Sequence, residues 1–217
     1  MPTATKSPLR SKSTDKPPSP RSRQRTFVAI DFETADYFRD SACAVALVRV
    51  EGNKIVAREH HLIQPPRSDF KFTHIHGITW SMVARAPTFD RVWTRLKPLL
   101  KGAEFLAAHN AGFDRSVLNA CCLATGLKPP TLDFTCSVRL AKQTWALQKA
   151  SLPEVCKFLN IPLEHHNAMS DAEACARIVL AAAITGGEPP AGRQTQQPAS
   201  AAVPGAPPPA RRARTTR

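Results

Sequence analysis

The sequence predicts an α/β fold, a mixed sheet of about five strands flanked by helices. Three observations carry that prediction. Short apolar runs open the central part of the chain. Later runs of the same kind alternate with segments of helical spacing. The stretches at both ends are too rich in Pro, Ser and Arg to join a core, so residues 26–186 must hold it.

Each element has its own warrant. "TFVAID" (26–31) reads as a buried strand. "ACAVALVRV" (42–50) and "KIVAREHHLI" (54–63) read as two more, joined by a turn at Glu51-Gly52-Asn53. In "TFDRVWTRLKPLL" (88–100), Phe89, Val92, Trp93, Leu96 and Leu99 recur at helical spacing, and Pro98 should weaken or bend the last turn. "EFLAAH" (104–109) is a fourth strand. Asn110 can cap a helix from Ala111 to about Thr125 that buries Phe113, Val117 and Cys121, with Gly126 as its stop. "TLDFTCSV" (131–138) supplies a fifth strand. Helices near Leu152–Leu159 and Ala168–Thr185 follow. Three strands come first and the rest alternate with helices, which calls for helices on both faces.

The net charge of +13 is unevenly placed. Residues 1–25 hold seven Lys/Arg against one acid, residues 187–217 hold five Arg against one Glu, and the centre keeps only +3. Both ends are expected to be disordered arms, a basic one before the domain and a Pro/Ala/Arg-rich one after it. Such arms either attract a polyanion such as nucleic acid or simply keep the protein soluble. The five prolines of the first arm argue against a transit peptide. The longest apolar run, Ile178 to Ile184, is far shorter than the ~20 residues of a membrane span, so no membrane partner is expected. Six cysteines without a CxxC pair read as reduced and buried, in keeping with a cytoplasmic protein.

Five residues stand out chemically. Asp31 and Glu33 in "DFET" lie two apart on a strand and so share a face, while Phe32 points into packing. Two adjacent carboxylates repel, and one would hold a proton unless a hard cation such as Mg²⁺ or Mn²⁺ neutralised them. A solvated strand end is the plainer alternative. Asp114 sits in a first helical turn among apolar neighbours; first-turn acids are ordinary, because the helix dipole favours them. In "HHNAMSDA", His166 precedes Asp171 by five residues. A histidine there could take a proton from water, or could be structural.

Taken in order, "DFET", "HNAGFD" and "HHNAMSDA" resemble the three motifs of the DEDDh family of 3′→5′ exonucleases, whose fold is ribonuclease H-like. "IHGIT" (75–79) is similar to a segment that this family carries. The resemblance covers residues 26–186 and is nearest to the exonuclease domain of the DNA polymerase III epsilon subunit and to stand-alone bacterial exonucleases. A sibling family has tyrosine four residues before the last Asp. Here that position is Asn167, and the single tyrosine is Tyr37, so the sibling is excluded.

The resemblance implies that Asp31, Glu33, Asp114 and Asp171 hold two Mg²⁺ or Mn²⁺ ions and that His166 deprotonates the attacking water. His165 fits the spacing less well and is taken as its neighbour. The product would be a nucleoside 5′-monophosphate released from a single-stranded 3′ end. Phe32, Thr34 and Ala35 are candidates to touch the terminal nucleotide, and His76 to Thr79 to line the same groove, unless these side chains only pack. The basic arms would assist binding.

Three alternatives stay open. The first is an RNA-trimming exonuclease like ribonuclease T or oligoribonuclease. The second is a proofreading subunit attached to a DNA polymerase, for which the C-terminal tail shows no hydrophobic anchor. The third is a non-catalytic nucleic-acid-binding module, against which all five site residues stand. Of these readings, a free-standing exonuclease of repair or nucleic-acid turnover is favoured. A zinc site from His60, His61, His74 and His76 lacks the cysteines that would complete it. No GxxxxGK[ST] loop suggests an ATP-driven role.

Overall fold

A computed structural model describes residues 25–187. The two expected arms, at 1–25 and 187–217, lie outside the described residues apart from Arg25 and Gly187. Five strands form one sheet: β1 (Thr26–Thr34), β2 (Ala42–Glu51), β3 (Lys54–Leu62), β4 (Phe105–Ala108) and β5 (Asp133–Cys136). Their spatial order is β3-β2-β1-β4-β5. The first three strands pair antiparallel, whereas β4 is parallel to both β1 and β5. The sheet is therefore mixed, as expected. The β2–β3 hairpin turns at Gly52-Asn53, and the parallel pairs require helical crossovers.

Those crossovers and the C-terminal part supply the helices. Two single turns, α1 (Thr73–His76) and α2 (Trp80–Val83), precede α3 (Phe89–Leu96). Then come α4 (Gly112–Ala124), α5 (Ser137–Trp145), α6 (Leu152–Leu159) and α7 (Ala168–Ile184). Strand alternation divides the core. Val28, Ile30, Phe32, Val45 and Leu47 pack against α3 and α4 through Val92, Trp93, Leu96, Val117 and Leu118. Phe27, Ala29, Ala46 and Val48 face the other way, onto Leu140, Ala172, Cys175, Ala176 and Val179 of α5 and α7. The Phe27 and Phe105 rings stack there, with centroids 5.1 Å apart. All six cysteines are unpaired, and five of them are buried. Among the described residues, no helix is long and apolar enough to cross a membrane.

Local departures from the expected elements have plain causes. Pro98 cannot donate a main-chain hydrogen bond, so α3 ends at Leu96 and Lys97–Leu100 tighten into a 3₁₀ turn. Asn110 does not cap α4 with its side chain. It takes a left-handed φ of 68°, and only its main-chain carbonyl accepts, from the Phe113 amide at 2.9 Å. Phe113 is only partly buried, because its ring lies at the mouth of a cleft. Gly126 has φ 73° and ends the α4 segment, as its residue type allows. The fifth strand is shorter than expected. Ser137 begins α5, which sequence pattern misses because its buried face is only Ser137, Leu140 and Ala141. Helix α6 matches the expected span and starts on a Ser151–Glu154 capping box. Asn167 caps α7 by accepting from the amides of Met169 and Ser170.

Candidate active site

The odd-numbered residues of β1 face α7, and the strand outlasts its apolar section by two such positions. Asp31 and Glu33 are those positions. They emerge where the β1–β2 register shifts between Glu33 and Thr34, a kind of irregularity that re-aims strand-end side chains. Asp171 stands in the first turn of α7, against the same strand face. Carboxylate oxygens of Asp31, Glu33 and Asp171 lie within 4.8 Å of one another. Asp114, in the first turn of α4, comes from the parallel neighbour β4, and its Oδ1 accepts the Phe32 main-chain amide at 3.1 Å. Four acids from three distant segments thus meet at the C-terminal end of the central strand, where α/β sheets commonly place their chemistry.

The electrostatics of this cluster are unfavourable without a counter-charge. Burial, then Asp114, Asp171 and Glu33, pushes Asp31 well above the usual carboxylate range. Burial, then Asp171 and Asp114, pushes Glu33 up to about 8. Asp114 and Asp171 are also raised, chiefly by burial. Asp171 Oδ1 is buried and has no hydrogen-bond partner among the described residues. A lone buried carboxylate oxygen costs folding energy unless something pairs with it. Four oxygen donors, mutual repulsion and one orphaned oxygen fit a hard divalent cation.

Two histidines close the site. Asp171 Oδ2 accepts from the His165 ring Nδ1 at 3.0 Å and from the His166 main-chain amide at 3.1 Å. The two rings stack at 3.9 Å, and His166 takes φ 67°. Both line a cleft of about 690 Å³ together with all four acids. Burial and His165 lower the His166 pKa, against the opposing pull of Asp171. Both effects, burial and His165, disfavour the protonated ring.

The expected nucleotide-contact residues separate into two groups. Phe32, Thr34 and His76 line the cleft. Ala35 has no exposed surface and packs with Cys43, Ala44, Ile78 and Val83 away from the cleft. Thr79 lies off the cleft lining, with its hydroxyl against Ser81 at 2.8 Å. His76 Nε2 donates to the Thr34 carbonyl at 3.1 Å, and its Nδ1 accepts the Ile78 amide at 3.0 Å. The ring thus ties the "IHGIT" segment to the end of β1.

Sequence reasoning missed several lining residues. His109 joins Ser137 Oγ at 2.8 Å and donates to the Ala150 carbonyl at 3.1 Å, and burial lowers its pKa to about 4. Phe72, Ile75, Phe113 and Lys142 also line the cleft. Only His109 carried a signal, as the first residue of "HNAGFD" at a strand end. Among the described residues, the groups able to share an ion are Asp31-Glu33-Asp171 and His165-His166-Asp171. His60, His61, His74 and His76 form no such group.

A mixed sheet with four acids and a histidine gathered at the end of its first strand defines a DEDDh-type exonuclease domain of ribonuclease H-like fold. Comparison with known proteins agrees. Residues 28–179 match the RNase_T family, described as Exonuclease, and the chain belongs to that family. Exodeoxyribonuclease 10 of Escherichia coli K12 is 32% identical over 160 residues, covering 70% of this chain and 66% of that protein. A PolC-type DNA polymerase III of Clostridium perfringens is also 32% identical over 160 residues, but these span 70% of this chain and only 11% of the polymerase. The chain spans well under a third of several such curated relatives. Among solved structures, exonuclease X in complex with 5′ overhanging duplex DNA superposes with a TM-score of 0.62 at 29% identity, covering 75% of this chain and 93% of that one. The nuclease domain of 3′hExo bound to rAMP reaches 0.70 at 18% identity, covering 80% and 99%, which is a likeness of fold.

Proposed function

We propose that this chain is a metal-dependent 3′→5′ exonuclease that removes nucleoside 5′-monophosphates from single-stranded DNA ends. The observation that carries the reading is the convergence of Asp31, Glu33 and Asp171 within 4.8 Å, beside a cleft that also holds Asp114 and His166. DNA is favoured over RNA because the relatives about a third identical are named for DNA substrates. The likeness bound to rAMP is only 18% identical and speaks for the fold alone.

Asp31, Glu33, Asp114 and Asp171 would hold the cations. Two Mg²⁺ or Mn²⁺ ions bound there would lower the pKa of water and relieve the charge of the anionic transition state. The neutral His166 ring takes the proton of the attacking water. Water oxygen bonds to the phosphorus of the last phosphodiester, and the bond to the 3′ oxygen breaks. The strand leaves with a new 3′ hydroxyl, and the mononucleotide keeps the phosphate. His166 is the base in this reading because it, and not His165, stands five residues before Asp171; the His165 Nδ1 is bonded to Asp171. His165 steadies Asp171 and the His166 ring instead. Phe32, Thr34 and His76 line the place of the terminal nucleotide, with Ala35 and Thr79 supporting from behind.

The role we favour is repair or turnover of nucleic acid by a free-standing enzyme. Attachment to a polymerase is the reading that the PolC-type relatives would support. The deciding experiment supplies the full chain with Mg²⁺ or Mn²⁺ and 5′-labelled single-stranded DNA and RNA of one sequence. A DNA ladder that shortens from the 3′ end supports the proposal. Faster shortening of RNA redirects it to RNA trimming, and no shortening of either overturns it.

A further inference from the structure

A second cavity, of about 390 Å³, opens on the α3–α4 side of the sheet and shares no lining residue with the cleft. Phe89 and Cys121 line it from the core, and Pro65, Pro66, Trp80 and Thr125 line it toward the surface. Grooves walled by aromatic rings receive Pro-x-x-Pro segments, which the polyproline II form prepares for docking. The surroundings are acidic. Asp40 lines the cavity and shares the guanidinium of Arg67 with Asp36, two acids to one cation. Asp90, next to Phe89, accepts from the hydroxyl of Thr88 at the cavity edge.

The chain itself supplies a match. Residues 203–212 read "VPGAPPPARR", with Pro204 and Pro207 at Pro-x-x-Pro spacing and two arginines just after, and no acid follows Glu188. This segment lies outside the described residues, so its length decides what it can reach. Residues 204–209 stand 17 to 22 positions beyond Gly187. At ~3.1 Å per residue they reach roughly 50–70 Å from it, against a domain roughly 40 Å across. The N-terminal arm also holds this spacing, at Pro17 and Pro20, but only eight and five positions before Arg25. Its reach is at most ~26 Å. Strand β1 alone sets about 30 Å between Arg25 and the cavity, where Ala42 pairs with Thr34. Length and charge together select the C-terminal segment.

We propose that residues 204–209 of this chain dock in the cavity against Trp80 and Pro66, with Arg211 and Arg212 toward Asp40. Docking carries these arginines to the mouth of the cleft. Arg39, next to Asp40, lies 4.6 Å over the ring of Phe113, which lines the cleft. There the arm meets the phosphates of a bound strand. That consequence rests on the nuclease reading above; the docking does not.

The test places the photo-crosslinking residue benzoylphenylalanine at Val203 of the full chain. Irradiation should link position 203 to peptides that hold Pro66, Trp80 or Thr125. The links should fall within one chain, as an equal mixture of ordinary and ¹⁵N-labelled chains reveals by mass. Pro204→Ser, Pro207→Ser, Pro208→Ser and Pro209→Ser together should cut the product at least about fivefold, as for the loss of an interface anchor. Links scattered over the surface, or an undiminished product in the serine variant, overturn the docking. Links between two chains only give the cavity to a second copy and overturn it as well. With Mn²⁺ and a DNA dodecanucleotide, the serine variant should keep the parent kcat. Its slope of log KM against log salt should fall by about 1.4, two phosphate contacts of a single strand at ~0.7 each. An unchanged slope overturns the delivery of the arginines. A parent that shortens no DNA overturns the nuclease reading, and the crosslink still decides the docking.

Discussion

Asp171 Oδ2 accepts from the main-chain amide of His166 at 3.1 Å, so the bond that joins these two residues does not use the imidazole. The His166 ring makes no hydrogen bond among the described residues and stacks on His165 instead. Replacing the ring therefore leaves the contact to Asp171 in place. His166→Ala should lower kcat about 10²- to 10⁴-fold, the range of a lost general base, with Tm moved by no more than about 2 °C. Single-turnover kinetics and a thermal melt of the same sample check it. His165→Ala removes a ring bond to Asp171 and should cost less activity than His166→Ala.

Removing one acid should separate stability from activity. Asp31 is held above the usual carboxylate range by burial and by three neighbouring carboxylates. Asp31→Asn relieves that repulsion, so in a chelator the variant should melt a few degrees above the parent. Its exonuclease activity should fall by at least about 10³-fold, since a ligand is gone. A variant that melts lower than the parent in chelator would show that the repulsion is not felt.

The pH dependence follows from Glu33, whose pKa rises to about 8 through burial, Asp171 and Asp114. A folded-state pKa above the unfolded value adds stability below the unfolded pKa, and that stability is lost as pH rises through the folded one. The metal-free protein should thus lose this contribution between about pH 4 and pH 8. A divalent cation needs the ionised carboxylates, so Mn²⁺ should raise Tm more at pH 8 than at pH 5.5. Differential scanning fluorimetry with and without Mn²⁺ at both pH values reads this directly, and equal gains would refute it.

Arg67 ties down the loop after β1 by donating to both Asp36 and Asp40. Asp36 is buried, and Arg67 supplies its cationic partner. Arg67→Ala leaves that carboxylate with fewer donors, at a cost of about 2 kcal/mol. A chain of this size should then melt roughly 4–8 °C lower. Arg67→Lys should recover only part of the loss, because one ammonium cannot span Asp36 and Asp40 as a planar fork does.

Much of the architecture is legible in the chain. Alternation in "TFVAIDFET" puts Phe27 and Ala29 on one face, so Asp31 and Glu33 must emerge on that face too. The apolar spacing of α3, α4 and α7, and the caps and stops around them, mark most boundaries to within a few residues. Helix α5 was hidden because it follows directly on β5 and fully buries only Ser137, Leu140 and Ala141, and Asn110 because a left-handed residue and a capping residue read alike in sequence.

What the sequence by itself determined is therefore the local order: which segments become strands and helices, and that acids sit at their ends. Periodicity and capping act over a few residues, and a linear string displays them. Only the tertiary structure decided that β4 lies parallel beside β1, that Asp114 reaches the Phe32 amide 82 positions away, and which histidine bonds Asp171 by its ring. The same packing set Tyr37 against Phe72 and left Ala35 behind the wall. These are contacts between distant segments, fixed by how two helical layers close on one sheet, and no short window of residues encodes them.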